Sequence, residues 1–166
     1  MNTNLRIGII ELAMRLIAAT LVGGLIGLNR ELKGKPAGLR THALVTLGSA
    51  LVTVVGVYSV IDKENIDPSA ISRIIQGIIT GIGFLGAGVI LRDEINNRVR
   101  GLTTAATIWV SASIGIACGV GAWYAVMFTT ALILVVLIVG GPIEQAMLRW
   151  IGRRKPDEIE IDEHVD

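Results

Sequence analysis

The chain has 166 residues, 52% of them hydrophobic and only 17% charged, with a formal net charge of +1 and a mean hydropathy of +0.65. A soluble domain carries about a quarter charged residues, so this composition excludes an ordinary soluble domain and offers no broad basic surface for nucleic acid. Spanning a bilayer takes roughly 20 apolar residues per helix. Five such segments use most of the chain and leave no second globular domain.

The first apolar segment covers about residues 7–28. Glu11 and Arg15 interrupt it, no small-residue cleavage site follows, and it ends in a charged loop. It therefore reads as a retained helix and not as a signal peptide. Residues 22–50, VGGLIGLNRELKGKPAGLRTHALVTLGSA, then form the organising stretch of the chain. They carry the first helix into Asn29, Arg30 and Glu31, across a loop with Lys33, Lys35 and Arg40, and into a second helix over about 43–61.

A third helix is expected over about 71–91, stopping at Arg92-Asp93-Glu94. A fourth covers about 102–118, followed by a tight turn at Gly119 and Gly121. A fifth covers about 122–139 and ends at Gly140-Gly141-Pro142. Apolar residues at 143, 146, 147, 150 and 151 share one helical face. They predict a short interfacial helix on the cytoplasmic surface, followed by Arg153, Arg154 and Lys155 facing anionic lipid. The last ten residues, DEIEIDEHVD, read as a disordered acidic tail or as the first strand of a further domain. The expected division is a five-helix transmembrane domain, 1–142, and a cytoplasmic interfacial helix with its tail, 143–166. The fold class is all-α and polytopic.

Alternating loops set the orientation. Arg30, Lys33, Lys35, Arg40, Arg92, Arg98, Arg100, Arg149, Arg153, Arg154 and Lys155 make 11 of the 15 basic residues, all on one side of a five-span arrangement. Positive residues mark the cytoplasmic face, which places the N-terminus outside and the C-terminus inside.

Helices in lipid associate through small residues and side-chain hydrogen bonds. Such seams are visible in four segments: Ala19, Gly23 and Gly27; His42, Thr46, Ser49, Thr53 and Gly56; Gly77 and Gly81, with Gly83 and Ala87; and Thr103, Thr107, Ser111, Gly115 and Gly119. They suit either close packing or a narrow polar path. The fifth segment lacks one and is expected to face lipid. Surplus seams predict a homo-oligomer, with a dimer favoured. Glu11 and Arg15 are spaced i,i+4 in the favourable order and form either an intramembrane functional pair or a paired anchor.

Gly81-Ile-Gly83-Phe-Leu-Gly86 matches the dinucleotide pattern, but no strand precedes it and no acidic residue follows at the required distance. His42 and His164 lie far apart and Cys118 stands alone, so no metal-ligand spacing, intrachain disulfide or cofactor site is expected. Cys118 reads as a small seam residue and His42 as an interfacial hydrogen-bonding group. With no nucleophile–base pair, an enzyme is not expected. The informative cluster is at the cytoplasmic helix ends, where Arg30, Glu31, Arg40, Arg92, Asp93 and Arg100 mix both signs.

The stretches GGLIGLNRELKGKPAGLRTHALVTLGSAL (23–51), IIQGIITGIGFLGAGVILRDE (74–94) and VRGLTTAATIWVSASIGIACGVG (99–121) resemble the MgtC/SapB family of bacterial inner-membrane proteins. The resemblance covers most of residues 7–140. It implies a five-helix inner-membrane domain linked to growth in low magnesium and, for some members, to survival inside host cells. It also implies a non-enzymatic regulator that works on another membrane complex, the F-type ATP synthase being the one ascribed to the best-described member. Two departures stand out. The sequence stops where longer members continue into an ACT-like domain, and Asn29 replaces the usual acidic residue before the arginine. The alternative is a Mg²⁺ or other ion transporter. Mg²⁺ favours carboxylates with retained water, whereas the carboxylate well inside a span, Glu11, is compensated by Arg15.

Overall fold

A computed structural model of the chain describes residues 8–61, 68–93 and 98–151, without the side chains of 60, 61, 68, 91–93 and 98. Five helices follow in order: α1 (Ile9–Leu32), α2 (Leu39–Ile61), α3 (Pro68–Gly88), α4 (Leu102–Val120) and α5 (Trp123–Trp150). All five are long and apolar enough to cross a membrane. The fold is all-α and polytopic. Between α3 and α4 lies a small addition, an antiparallel pair of β1 (Leu91–Asp93) and β2 (Arg98–Arg100) with Leu91 opposite Arg100. The sequence reading ends the third helix in a plain charged loop at this point; three-residue strands carry too little alternation to be seen.

The core is a three-helix sandwich of α1, α2 and α4, and its register follows from the glycines. A Cβ on Gly23 would meet Thr46 Oγ1 and lie 2.5 Å from the His42 carbonyl oxygen; one on Gly27 would lie 2.5 Å from that of Gly38. Hence α1 runs antiparallel to α2. On the other side, Gly115 faces Thr46 and Ser49, and Gly119 faces Ala50 and Thr53, so α4 runs parallel to α2. Only hydrogen at these positions lets the backbones approach this closely, and close approach is what holds helices together in lipid.

Half of the α4 span is buried, against 6% for α3. The short and relatively polar fourth helix is thus the centre of the bundle. Its polar groups are small, and a short helix at the centre is the one that needs least lipid-facing surface. Both ends of α4 are glycines in the left-handed region, Gly101 (φ 89°) and Gly121 (φ 79°).

Helix α5 touches the bundle along a narrow stripe, with Val126, Thr130 and Ile133 buried. This agrees with the seamless, lipid-facing helix read from its sequence. Its end differs. The break expected at Gly140-Gly141-Pro142 is absent, and α5 continues through Pro142 to Trp150, so the amphipathic stretch after 142 extends α5 and is no separate helix. Proline removes one backbone hydrogen bond and crowds the carbonyl four residues back, but a long helix with two preceding glycines can absorb both. At about 42 Å, α5 is longer than a hydrocarbon core of about 30 Å. The Arg153-Arg154-Lys155 cluster and the acidic tail lie outside the described residues.

Candidate functional site

Three charged residues on α1 bind the ends of the other core helices. Near the start of α1, Arg15 donates through Nη1 to the Gly119 carbonyl at 2.6 Å and through Nη2 to Glu11 Oε1 at 2.5 Å. Gly119 is in the last turn of α4, whose carbonyls lack intrahelical donors and carry the negative end of the helix dipole. The i,i+4 pair expected from sequence is present. Its principal contact, however, is a cap on another helix 104 residues away.

At the other end of α1, Arg30 is 95% buried; its relative exposure is 5%. Its Nη2 donates to Thr104 Oγ1 at 2.6 Å, in the first turn of α4. The next residue, Glu31, accepts the backbone N–H of Leu39, the first residue of α2, at 2.9 Å through Oε2. A carboxylate at that position satisfies an orphan N–H and complements the positive end of the α2 dipole. Lys33 then reaches the Leu137 carbonyl of α5.

Arg30, Glu31, Arg40 and Arg100 therefore do not form one uniform surface. Arg30 is an interior tie and Glu31 an end cap, whereas Arg40 and Arg100 are exposed. The side chains of Arg92 and Asp93 lie outside the described residues. What sets Arg30 and Glu31 apart is that each reaches the N-terminal turn of another helix, α4 and α2 respectively. That reach needs the register of three helices.

The predicted seams divide in the same way. Gly23, Gly27, Thr46, Ser49, Thr53, Thr107 and Ser111 are all buried. Thr103 is not: it is exposed, and Thr104 takes the inward position. A strict 4-residue spacing drifts around a helix of 3.6 residues per turn, and the face of α4 that meets α1 and α2 passes through 104, 107 and 111. Gly77 and Gly81 are exposed on α3, with nothing within 4 Å of a Cβ placed on either. They line an open apolar groove of about 400 Å³ between α2 and α3, together with Gly48 and Ser49.

Most hydroxyls in the core turn back on their own helices. Thr46 donates to the carbonyls of His42 and Ala43, Thr53 to Ser49 and Thr107 to Thr104, at 2.8–3.0 Å. Such back-bonding leaves a small, dry outer surface that suits helix packing. Five atoms depart from this pattern: Arg15 Nε, Asn29 Oδ1, Arg30 Nε, His42 Nε2 and Ser111 Oγ are buried with no hydrogen-bond partner among the described residues. Sequence reasoning missed Thr104 and the orphaned atoms, because neither leaves a compositional signal. Among the described residues no group of three His, Cys, Asp or Glu is placed to hold a metal ion, and Cys118 is buried as a free thiol in the seam.

A model of the MgtC family matches residues 16–146. The chain is similar to the protein SrpB of Synechococcus elongatus, with 48% identity over 118 residues, 68% of this chain and 65% of the relative. It is 44% identical over 129 residues to the putative magnesium transporter YhiD of Escherichia coli, covering 76% of this chain and 59% of the relative. It is 45% identical over 121 residues to the protein MgtC of Salmonella typhimurium, covering 73% and 48%. The matches thus span about half to two-thirds of these relatives' lengths. No solved structure matches the chain.

Proposed function

Since the chain belongs to the MgtC family, we propose that it is a magnesium-linked membrane protein that regulates another membrane complex and does not itself conduct ions. The observation that carries this reading is the packed α1–α2–α4 core. Glycines meet backbone there, and the hydroxyls of Thr46, Thr53 and Thr107 are turned back onto their own helices. A divalent cation would need oxygen ligands, carboxylates above all. Among the described residues, the carboxylates of α1, Glu11 and Glu31, are engaged with Arg15 and with the α2 N-terminus. The buried charge on this axis, Arg30, is positive and would oppose a cation.

In this reading the regulated complex meets the face that carries Arg40 and Arg100, the cytoplasmic face of a bacterial inner membrane by the charge asymmetry of the loops. The F-type ATP synthase is the complex to which the family resemblance points. The protein acts as a homodimer, for which the open Gly77–Gly81 face of α3 supplies a seam. Light scattering of the detergent-solubilised protein returning only a monomer would remove the dimer.

The deciding experiment is Mg²⁺ flux into liposomes holding the purified protein and a Mg²⁺-sensitive dye, alongside growth of a deletion strain in low magnesium. We expect flux equal to that of empty liposomes. Arg40→Ala and Arg100→Ala should lose growth support while keeping the wild-type amount in the membrane. Flux above empty liposomes, removed by Arg30→Gln, would establish the transporter instead. Unchanged growth in both surface variants would remove the docking face.

A further inference from the structure

Helices α2 and α3 touch at one end and stand apart at the other. Near the outer end, Ile74 of α3 packs so closely on Gly56 of α2 that a Cβ there would collide with it. A Cβ on Gly48, Gly77 or Gly81 would instead meet nothing within 4 Å. The open part is the groove of about 400 Å³, which follows α2 from Val52 to Leu44, about 12 Å of helix. As consecutive spans the two helices run antiparallel, so the groove is closed at Gly56 and Ile74 and opens toward their inner ends. Val45, Ile78 and Ile82 form its floor, backed by Ile108 and Ala112 of α4. Of the residues that line it, Ser49 alone has a polar side chain.

The mouth has a different character. Arg40 precedes Leu44 by one turn, and Leu44, Gly48 and Val52 continue the same i,i+4 row along α2. Cβ atoms at that spacing are about 5–6 Å apart. Arg40 is exposed, as is Thr41, which stands one turn before Val45. A guanidinium and a hydroxyl therefore top an apolar slot at the level of the inner headgroups, where the leaflet carries negative charge. A transmembrane helix is about 10 Å across and must cross the whole hydrocarbon core, so closure at Gly56 and Ile74 works against a helix as occupant. An acyl chain enters from one leaflet and can end inside it.

We propose that the α2–α3 groove binds one anionic phospholipid of the inner leaflet, with an acyl chain along Gly48, Gly77 and Gly81 and its phosphate at Arg40. The chain fills space that the glycines leave without contacts. Lipid tails are as apolar as the groove, so preference among lipids comes from the charge-assisted hydrogen bond of Arg40 to the phosphate. This site does not rest on the regulatory reading. It bears on the dimer, because a chain bedded on Gly77 and Gly81 lies in the seam at which a second α3 would meet them.

The test is native mass spectrometry of the purified full chain in detergent, with thermal unfolding read in parallel. Both are titrated with phosphatidylglycerol or with phosphatidylcholine of identical chains. The expected result is one retained phosphatidylglycerol per chain and saturable stabilisation by that lipid, with phosphatidylcholine held far more weakly. Gly48→Leu, which has room for its side chain, should keep the lipid-free unfolding temperature and lose the bound lipid. Gly83→Leu, equally open but outside the groove, should bind as the wild type does. Arg40→Gln should raise the half-saturating concentration of phosphatidylglycerol about tenfold, the equivalent of one hydrogen bond to a charged group. Equal retention of the two lipids by the wild type, or phosphatidylglycerol binding that survives in Gly48→Leu, would overturn the site. So would a lipid-free dimer that Gly48→Leu dissociates in light scattering, since a second copy would then occupy the groove.

Discussion

The guanidinium of Arg15 closes the C-terminal end of α4 through the Gly119 carbonyl, at 2.6 Å, while the opposite end of the same helix is held by Arg30 through Thr104. Fifteen residues of α1, about 22 Å of helix, separate the two arginines. Helix α1 thus clasps the central helix at both ends, antiparallel to it, with a cation where the α4 dipole is negative. Arg15 meets a helix end that favours it. Arg30 meets one that does not, and it is held there through the neutral hydroxyl of Thr104.

Replacing Arg15 with Met keeps the aliphatic stem and removes the cap. We expect a loss of about 1.5–3 kcal/mol, the range for a hydrogen bond to a charged group, read by unfolding in mixed micelles. Glu11→Gln should cost less, because Glu11 is 46% exposed and its hydrogen bond is to Arg15 of its own helix. Equal losses would show that the ion pair itself, and not the cap, is the stabilising element.

Thr104→Val removes the hydroxyl that Arg30 uses and leaves a buried guanidinium with one partner fewer. A destabilisation of about 1–3 kcal/mol is expected. Thr103→Val, one residue earlier and exposed, should be neutral within about 0.5 kcal/mol. The pair separates the inward from the outward position at the start of α4, and a reversed order would contradict the register.

Gly23→Leu should prevent α1 from seating on α2, since even a Cβ would meet Thr46 and the His42 carbonyl. Overpacking of this kind costs about 1–3 kcal/mol when neighbours can shift, and more where the obstacle is backbone. Gly77→Leu faces open space and should leave the unfolding of the monomeric bundle unchanged. If the protein dimerises through α3, the same variant should shift it toward monomer in light scattering.

Glu31→Ala removes the acceptor for the Leu39 N–H at the start of α2. The expected cost is about 0.5–2 kcal/mol, as for loss of a helix cap, with Glu31→Gln recovering part of it. If both variants retain full stability, Glu31 belongs with Arg40 and Arg100 as a surface group.

Much of this architecture is set by the sequence alone. Five spans, their order and the collection of basic residues at one set of helix ends follow from hydropathy and charge, which act on each segment separately. The glycine and threonine seams of α1 and α2 were legible for the same reason: a helix's buried stripe is written at a fixed spacing along its own length. Tertiary structure alone decided which partner each stripe meets. It brought Arg15 to Gly119 and Glu31 to Leu39, turned Thr104 inward in place of Thr103, left Gly77 and Gly81 open, and carried α5 through Pro142. Each of these depends on the rotation and axial register of one helix against another. In lipid those are fixed by close backbone contact and by buried polar groups, which no single segment encodes.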